Sequence, residues 1–195
     1  MIDLILNAAI FLITACIVLF IFFRKDHEWD LRRGRFALRY FTAQSNVLCA
    51  VSAALMCLFP LNRTIWLLKY IGTAAVTVTM LTVFLFLAPS VGKEWVSVLL
   101  KGADFFLHLI TPLLALVSFC AFEKHGMAFE TSLLGMLPVV LYGSLYLHRI
   151  LYAPEDKRWN DFYGFNKSGK WPLSFAMMAV GTFCICMGLM ALQNL

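Results

Sequence analysis

Two short stretches carry groups whose types and spacing could do chemistry. The first is Arg39-Tyr40-Phe41-Thr42-Ala43-Gln44-Ser45-Asn46. Within it Arg39, Thr42, Ser45 and Asn46, with Cys49 beyond, recur at steps of roughly three and four residues, which share one face of a helix. Gln44 points elsewhere. The second is Lys101-Gly102-Ala103-Asp104-Phe105-Phe106-Leu107-His108-Leu109-Ile110-Thr111-Pro112, with Asp104 and His108 one helical turn apart and Thr111 at the next turn. A threonine hydroxyl becomes a nucleophile when a base takes its proton, and histidine, with a pKa of about 6.5, is the usual base near neutral pH. A carboxylate on the other ring nitrogen fixes the tautomer and steadies the imidazolium. Thr42 is therefore the candidate nucleophile, His108 the candidate base and Asp104 its orienting partner. Asn46, Ser45 and the Arg39 guanidinium are candidate donors for an oxyanion. The chemistry would be acyl transfer to Thr42 followed by hydrolysis. Pro112 has no N–H, so the His108 carbonyl loses its helical partner and a kink is expected beside the imidazole.

The elements that must position these groups are apolar. Hydrophobic residues make up 62% of the chain and charged residues 14%, against about 45–50% and 25% in a soluble domain. Mean hydropathy is +0.82. So few charges cannot cover a water-exposed surface, which excludes a soluble globular protein. A bilayer core needs about 20 apolar residues per helix, and the stretches 2–23, 36–59, 64–88, 95–122, 131–152 and 172–193 qualify. The expected fold is all-α: a polytopic membrane helical bundle of about six transmembrane helices, forming a single transmembrane domain over 1–195. The first stretch lacks a basic leader region and is too long for a signal-peptide core, so it reads as a retained span.

Loop charges predict the orientation. The first, third and fifth loops hold ten Lys and Arg (Arg24, Lys25, Arg32, Arg33, Arg35, Lys93, Lys157, Arg158, Lys167 and Lys170), and the second and fourth hold two, Arg63 and Lys124. By the positive-inside bias the odd loops are expected in the cytoplasm and both termini on the opposite side; the expected location is a bacterial plasma (inner) membrane. The net charge of +5 then reflects loops facing anionic lipid, and no nucleic-acid partner is expected.

A polar side chain within a bilayer costs about 2.5–3.5 kcal/mol by insertion scales when it is charged, so the two clusters ask for a reason. Arg39, Lys101 and Lys69 are expected to snorkel outward. Measured from Arg39 and Lys101, Thr42 and His108 differ in depth by roughly 6 Å at 1.5 Å rise per residue, a gap that tilt and imidazole reach would close. Thr42, about two turns into its span on that count, would lie at the level of a lipid ester.

Other features have plainer explanations. The six cysteines (Cys16, Cys49, Cys57, Cys120, Cys184, Cys186) fall inside apolar stretches without metal-ligand spacing, so core packing is expected and no metal or cofactor. His148, with Tyr142, Tyr146 and Arg149, reads as an interfacial belt. His27 and His125 fall in loops. Trp159 to Asn166 is aromatic and polar together, and a piece lying on the membrane surface is favoured over a lid. Thr73, Thr77, Thr79 and Thr82 are expected to bond back to the preceding turn. No G-x-S-x-G, Walker A, H-E-x-x-H or Rossmann glycine pattern is present.

Arg39-Tyr40-Phe41-Thr42, with Asn46 a turn later and a histidine on a later helix followed by Thr111-Pro112, resembles the androgen-induced protein family of membrane threonine hydrolases, most nearly its compact prokaryotic relatives of the Pr6Pr type. The resemblance implies about six spans, a threonine and a histidine in catalysis carried onto Thr42 and His108, and a fatty acid ester of a hydroxy fatty acid as the kind of lipid substrate. Asp104 is outside that pattern. Two other functions fit the same residues: a small membrane transporter or channel with a buried Asp104/His108 relay, and haem held by His108 and His148.

Overall fold

The computed structural model describes residues 1–23 and 28–195, and at 90, 91, 98 and 99 the backbone alone. Arg24, Lys25 and His27 lie outside the described residues. Of the described residues, 81% are helical. In order the helices of five or more residues among the described residues are α1 (Ile2–Ile21), α2 (Leu31–Ala37), α3 (Phe41–Leu58), α4 (Arg63–Leu87), α5 (Trp95–Leu99), α6 (Ala103–Phe122), α7 (Phe129–Leu151) and α8 (Trp171–Asn194). Six of them, all but α2 and α5, are long and apolar enough to cross a membrane. The chain is an integral membrane helical bundle, as composition and span counting predict.

Local signals set the boundaries. The Asp30 side chain caps α2 by accepting from the backbone N–H groups of Arg32 and Arg33, and Asn62 caps α4 through Thr64 and Ile65. Such caps satisfy donors that the first turn leaves unpaired. Two expected spans are broken. The stretch 36–59 divides at a turn over residues 38–40, where Tyr40 is extended (φ −84°, ψ 137°) and α3 starts afresh at Phe41. Thr42 is thus the second residue of its helix, not two turns into it. The stretch 95–122 divides before Ala103, where Gly102 takes φ +61°, a left-handed conformation that glycine adopts without a side-chain penalty.

Inside α6 the residues Phe106–Ile110 form a π-turn, in which the Thr111 N–H reaches the Phe106 carbonyl. The wide turn comes just before Pro112, so the irregularity expected from the missing proline N–H is a π-turn. Similar π-turns lie at Val83–Leu87 and Ser118–Phe122.

Helix α3 packs against α1 and α4. The α3–α4 approach is close at Gly72, where a Cβ would stand 2.9 Å from the Cys49 Cα. Small residues at such crossings let backbones meet. A central apolar layer of Ile10, Cys49, Ala53, Val76 and Ala115 joins α1, α3, α4 and α6. Toward the chain termini a second cluster gathers Met56, Trp66, Tyr70, Phe119, Met127 and Leu189.

Beside that second cluster lies a polar group the sequence did not announce. Lys69 is fully buried and sits 4.0 Å from Glu123, itself 2% exposed in its side chain. Lys69 donates to Asn7 Oδ1 (2.6 Å), and Asn7 and Ser118 donate to Glu123 Oε1 (2.6 and 2.5 Å). Lys69 therefore does not snorkel: a carboxylate and an amide inside the bundle hold its ammonium. The cysteines also differ from expectation. All six are free, with Cys49 and Cys186 buried, Cys57 and Cys120 half-buried, but Cys16 and Cys184 exposed on the flanks of α1 and α8.

Candidate active site

Thr42 and His108 meet. The Thr42 Oγ1 lies 3.4 Å from His108 Nε2. Thr42 is half-buried, and His108 is 9% exposed in the π-turn of α6. The depth offset inferred from continuous helices disappears because both helices begin later than the apolar runs suggest.

Asn46, fully buried one turn along α3, fixes the meeting of the two helices. Its Nδ2 donates to the Thr42 carbonyl (2.8 Å) and to the Leu107 carbonyl (3.0 Å). One amide thus ties the residue that carries the hydroxyl to the neighbour of the residue that carries the imidazole. The Asn46 Oδ1 is buried without a hydrogen-bond partner. Ser45 donates to the Thr42 carbonyl (3.1 Å) and pairs with the Thr79 hydroxyl (2.9 Å), tying α3 to α4. Thr79 also bonds back to Ala75 O, and Thr77 to Thr73 O, as expected of helix threonines, whereas the buried Thr73 hydroxyl has no hydrogen-bond partner.

The supporting roles predicted for these residues change. Both Asn46 Nδ2 hydrogens go to backbone carbonyls, so Asn46 is a brace with no donor left for an oxyanion. The Ser45 hydroxyl is occupied between Thr42 O and Thr79. The Arg39 guanidinium stands over Phe36 (5.3 Å) and Trp159 (5.9 Å), and its backbone carbonyl accepts from the Tyr142 hydroxyl (2.7 Å). Arg39 lies in the turn before α3, so the five-residue face does not exist as one helical surface. Asp104 is exposed in the first turn of α6. It is within electrostatic reach of His108, yet no hydrogen bond joins the two. The π-turn between them removes the one-face alignment that four-residue spacing gives in a regular helix.

The stretch Trp159–Asn166 is anchored to the bundle. Its rings pack with Phe41, Tyr142, Tyr146, Trp171 and Phe175 in a third cluster. Asp161 organises it: the carboxylate accepts from the Tyr146 hydroxyl (2.9 Å) and from the N–H groups of Phe165 and Asn166 (both 2.8 Å). The consequence reaches the site. The Phe41 N–H, at the start of α3, donates to the Tyr163 hydroxyl (3.1 Å), and that hydroxyl stands beside those of Tyr142 and Thr42. Burial pushes the Tyr163 phenol above its ordinary pKa, against the pull of the Phe41 N–H and of the Tyr142 and Thr42 hydroxyls. Sequence spacing alone could not pair Tyr163 with Thr42, because 121 positions separate them.

Two open grooves flank the region. One, of about 350 Å³, runs between α3 and α7 and is lined by Phe41, Ser45, Leu48, Leu141 and Tyr142 among others. The other, about 330 Å³, lies between α1 and α6 with Arg33 at its rim. Neither is lined by Thr42 or His108, although the first is bordered by their neighbours Phe41 and Ser45. His148 is exposed on α7 near Tyr152, whereas His108 is buried against α3. Among the described residues no group of three or more His, Cys, Asp or Glu is placed to hold a metal ion. No family model, no curated protein and no solved structure matches the chain.

Proposed function

We propose that the chain is an intramembrane hydrolase of lipid esters, of the fatty acid ester type, with Thr42 as nucleophile and His108 as general base. The observation that carries this is the 3.4 Å approach of Thr42 Oγ1 to His108 Nε2, held by the Asn46 brace. A catalytic pair in a resting site is often long by hydrogen-bond standards and tightens with substrate. His108 takes the Thr42 proton as Oγ attacks the ester carbonyl, then returns it to the departing alkoxide. Water, activated by the same imidazole, releases the acid and restores Thr42. The positive end of the α3 dipole lies at Thr42 and favours the negative charge that develops there. The loop-charge asymmetry supports a cytoplasmic mouth, in a bacterial inner membrane with both termini on the opposite side. The resemblance to the androgen-induced family supports the same two residues.

A fluorophosphonate probe tests the assignment. The detergent-purified protein is expected to label, and Thr42→Ala and His108→Ala each to abolish labelling. Normal labelling of both variants refutes it.

Transport is the second reading, and the buried Lys69–Glu123 pair favours it, with the unpartnered hydroxyls of Thr14, Thr73 and Thr111. The buried apolar layer of Ile10, Cys49, Ala53, Val76 and Ala115 weighs against a continuous path. Proteoliposome flux that survives Thr42→Ala would decide for transport.

A further inference from the structure

An acyl-transfer site needs a donor where charge appears on the carbonyl oxygen, and the three donors expected from the sequence are committed elsewhere. Asn46 spends both amide hydrogens on Thr42 O and Leu107 O. The Ser45 hydroxyl lies between Thr42 O and Thr79. The Arg39 guanidinium is drawn to Phe36 and Trp159. One hydroxyl next to Thr42 differs from these. Tyr163 already accepts the Phe41 N–H at 3.1 Å, which orients its oxygen and leaves its own proton to be given away. Its neighbour Tyr142 is not equivalent, since the Tyr142 proton goes to the Arg39 carbonyl at 2.7 Å.

We propose that Tyr163 is a catalytic residue of this site, its phenol O–H donating to the carbonyl oxygen of the ester as Thr42 attacks. This rests on the Thr42/His108 assignment above. In the step, the Thr42 Oγ–carbonyl carbon bond forms and its proton passes to His108. The carbonyl π pair moves onto oxygen, where the Tyr163 O–H meets it. When the pair returns, the bond to the alkoxide breaks, the alkoxide takes the proton from His108, and water later cleaves the acyl-threonine. The loop Trp159–Asn166 then has a function beyond packing: the Asp161 carboxylate and Tyr146 hydroxyl hold the turn that delivers the phenol, with the Tyr163 N–H itself donating to Tyr146 at 3.0 Å.

The phenol must stay protonated to donate. Its pKa is raised by burial, so activity should persist above the pH at which an ordinary tyrosine ionises and fall on a still more alkaline limb. Tyr163→Phe keeps the ring and removes the donor. It is expected to lower kcat for an activated nitrophenyl fatty ester by about 100- to 1000-fold, the loss seen when an oxyanion donor is removed, with KM and the unfolding midpoint little changed. Tyr142→Phe, which loses the bond to Arg39 O and the hydroxyl beside Tyr163 but leaves the Tyr163 donor in place, should retain most of the rate. A wild-type protein inert to both ester and fluorophosphonate refutes the hydrolase assignment itself. An active wild type with Tyr163→Phe of equal kcat overturns the role of Tyr163 alone. Should Tyr163→Phe not fold, 3-fluorotyrosine at 163 keeps the hydroxyl and makes it more acidic. The alkaline limb must then move to lower pH, and an unmoved limb overturns the proposal.

Discussion

At the level of single residues, the proposed site depends on Thr42, His108 and the amide that joins their helices. Thr42→Val is nearly isosteric and removes only the hydroxyl. It should eliminate fluorophosphonate labelling while leaving the thermal unfolding midpoint within measurement error; retained labelling would point to another nucleophile. Asn46→Ala should act differently. It strips the Thr42 and Leu107 carbonyls of a buried donor, at a cost of about 1–3 kcal/mol. It also frees α3 from α6, so labelling and stability should fall together. Asp104→Asn tests an orienting role that geometry disfavours. With an exposed carboxylate and no hydrogen bond to His108 in the structure, the variant should label at close to the wild-type rate.

Among the helices, two contacts carry the sharpest expectations. Glu123→Gln leaves the Lys69 ammonium buried against a neutral amide. Breaking one partner of a buried pair typically costs about 3–5 kcal/mol, and the double variant Lys69→Met/Glu123→Leu should recover part of that in a detergent unfolding titration. Recovery is expected to be incomplete because Asn7 and Ser118 also donate to Glu123. Gly72→Ala places a methyl against the Cys49 Cα, with the Ser52 Oγ 3.0 Å away. Backbone cannot yield as a side-chain tip can, so α3 and α4 must separate, at about 1–3 kcal/mol. Lowered stability with unchanged fluorophosphonate labelling per folded molecule would show that the strain stays on the α4 side of α3.

For the molecule as a whole, the expected orientation has a direct test. In a background lacking the native cysteines, Lys157→Cys should react with an impermeant maleimide only after the membrane is opened. Lys124→Cys should react from outside intact cells; the reverse pattern inverts the topology. The sequence by itself determined that the chain is an all-helical bundle with six membrane-spanning helices, because hydropathy over about 20 residues is a local property and a bilayer admits few alternatives. It also picked out Thr42 and His108, since polar groups in apolar runs are conspicuous without any knowledge of partners. The turns that reset α3 at Phe41 and α6 at Ala103 were not legible. Arg39 and Tyr40 continue a helical pattern on paper, and a capping phenol from the far end of the chain ends that pattern. The tertiary structure alone decided that Lys69 turns inward to Glu123, that Asn46 and Ser45 brace instead of donating, and that Tyr163 arrives beside Thr42. Each of these depends on which polar group, remote in the chain, comes close in space, and residue spacing along a chain carries no such distance.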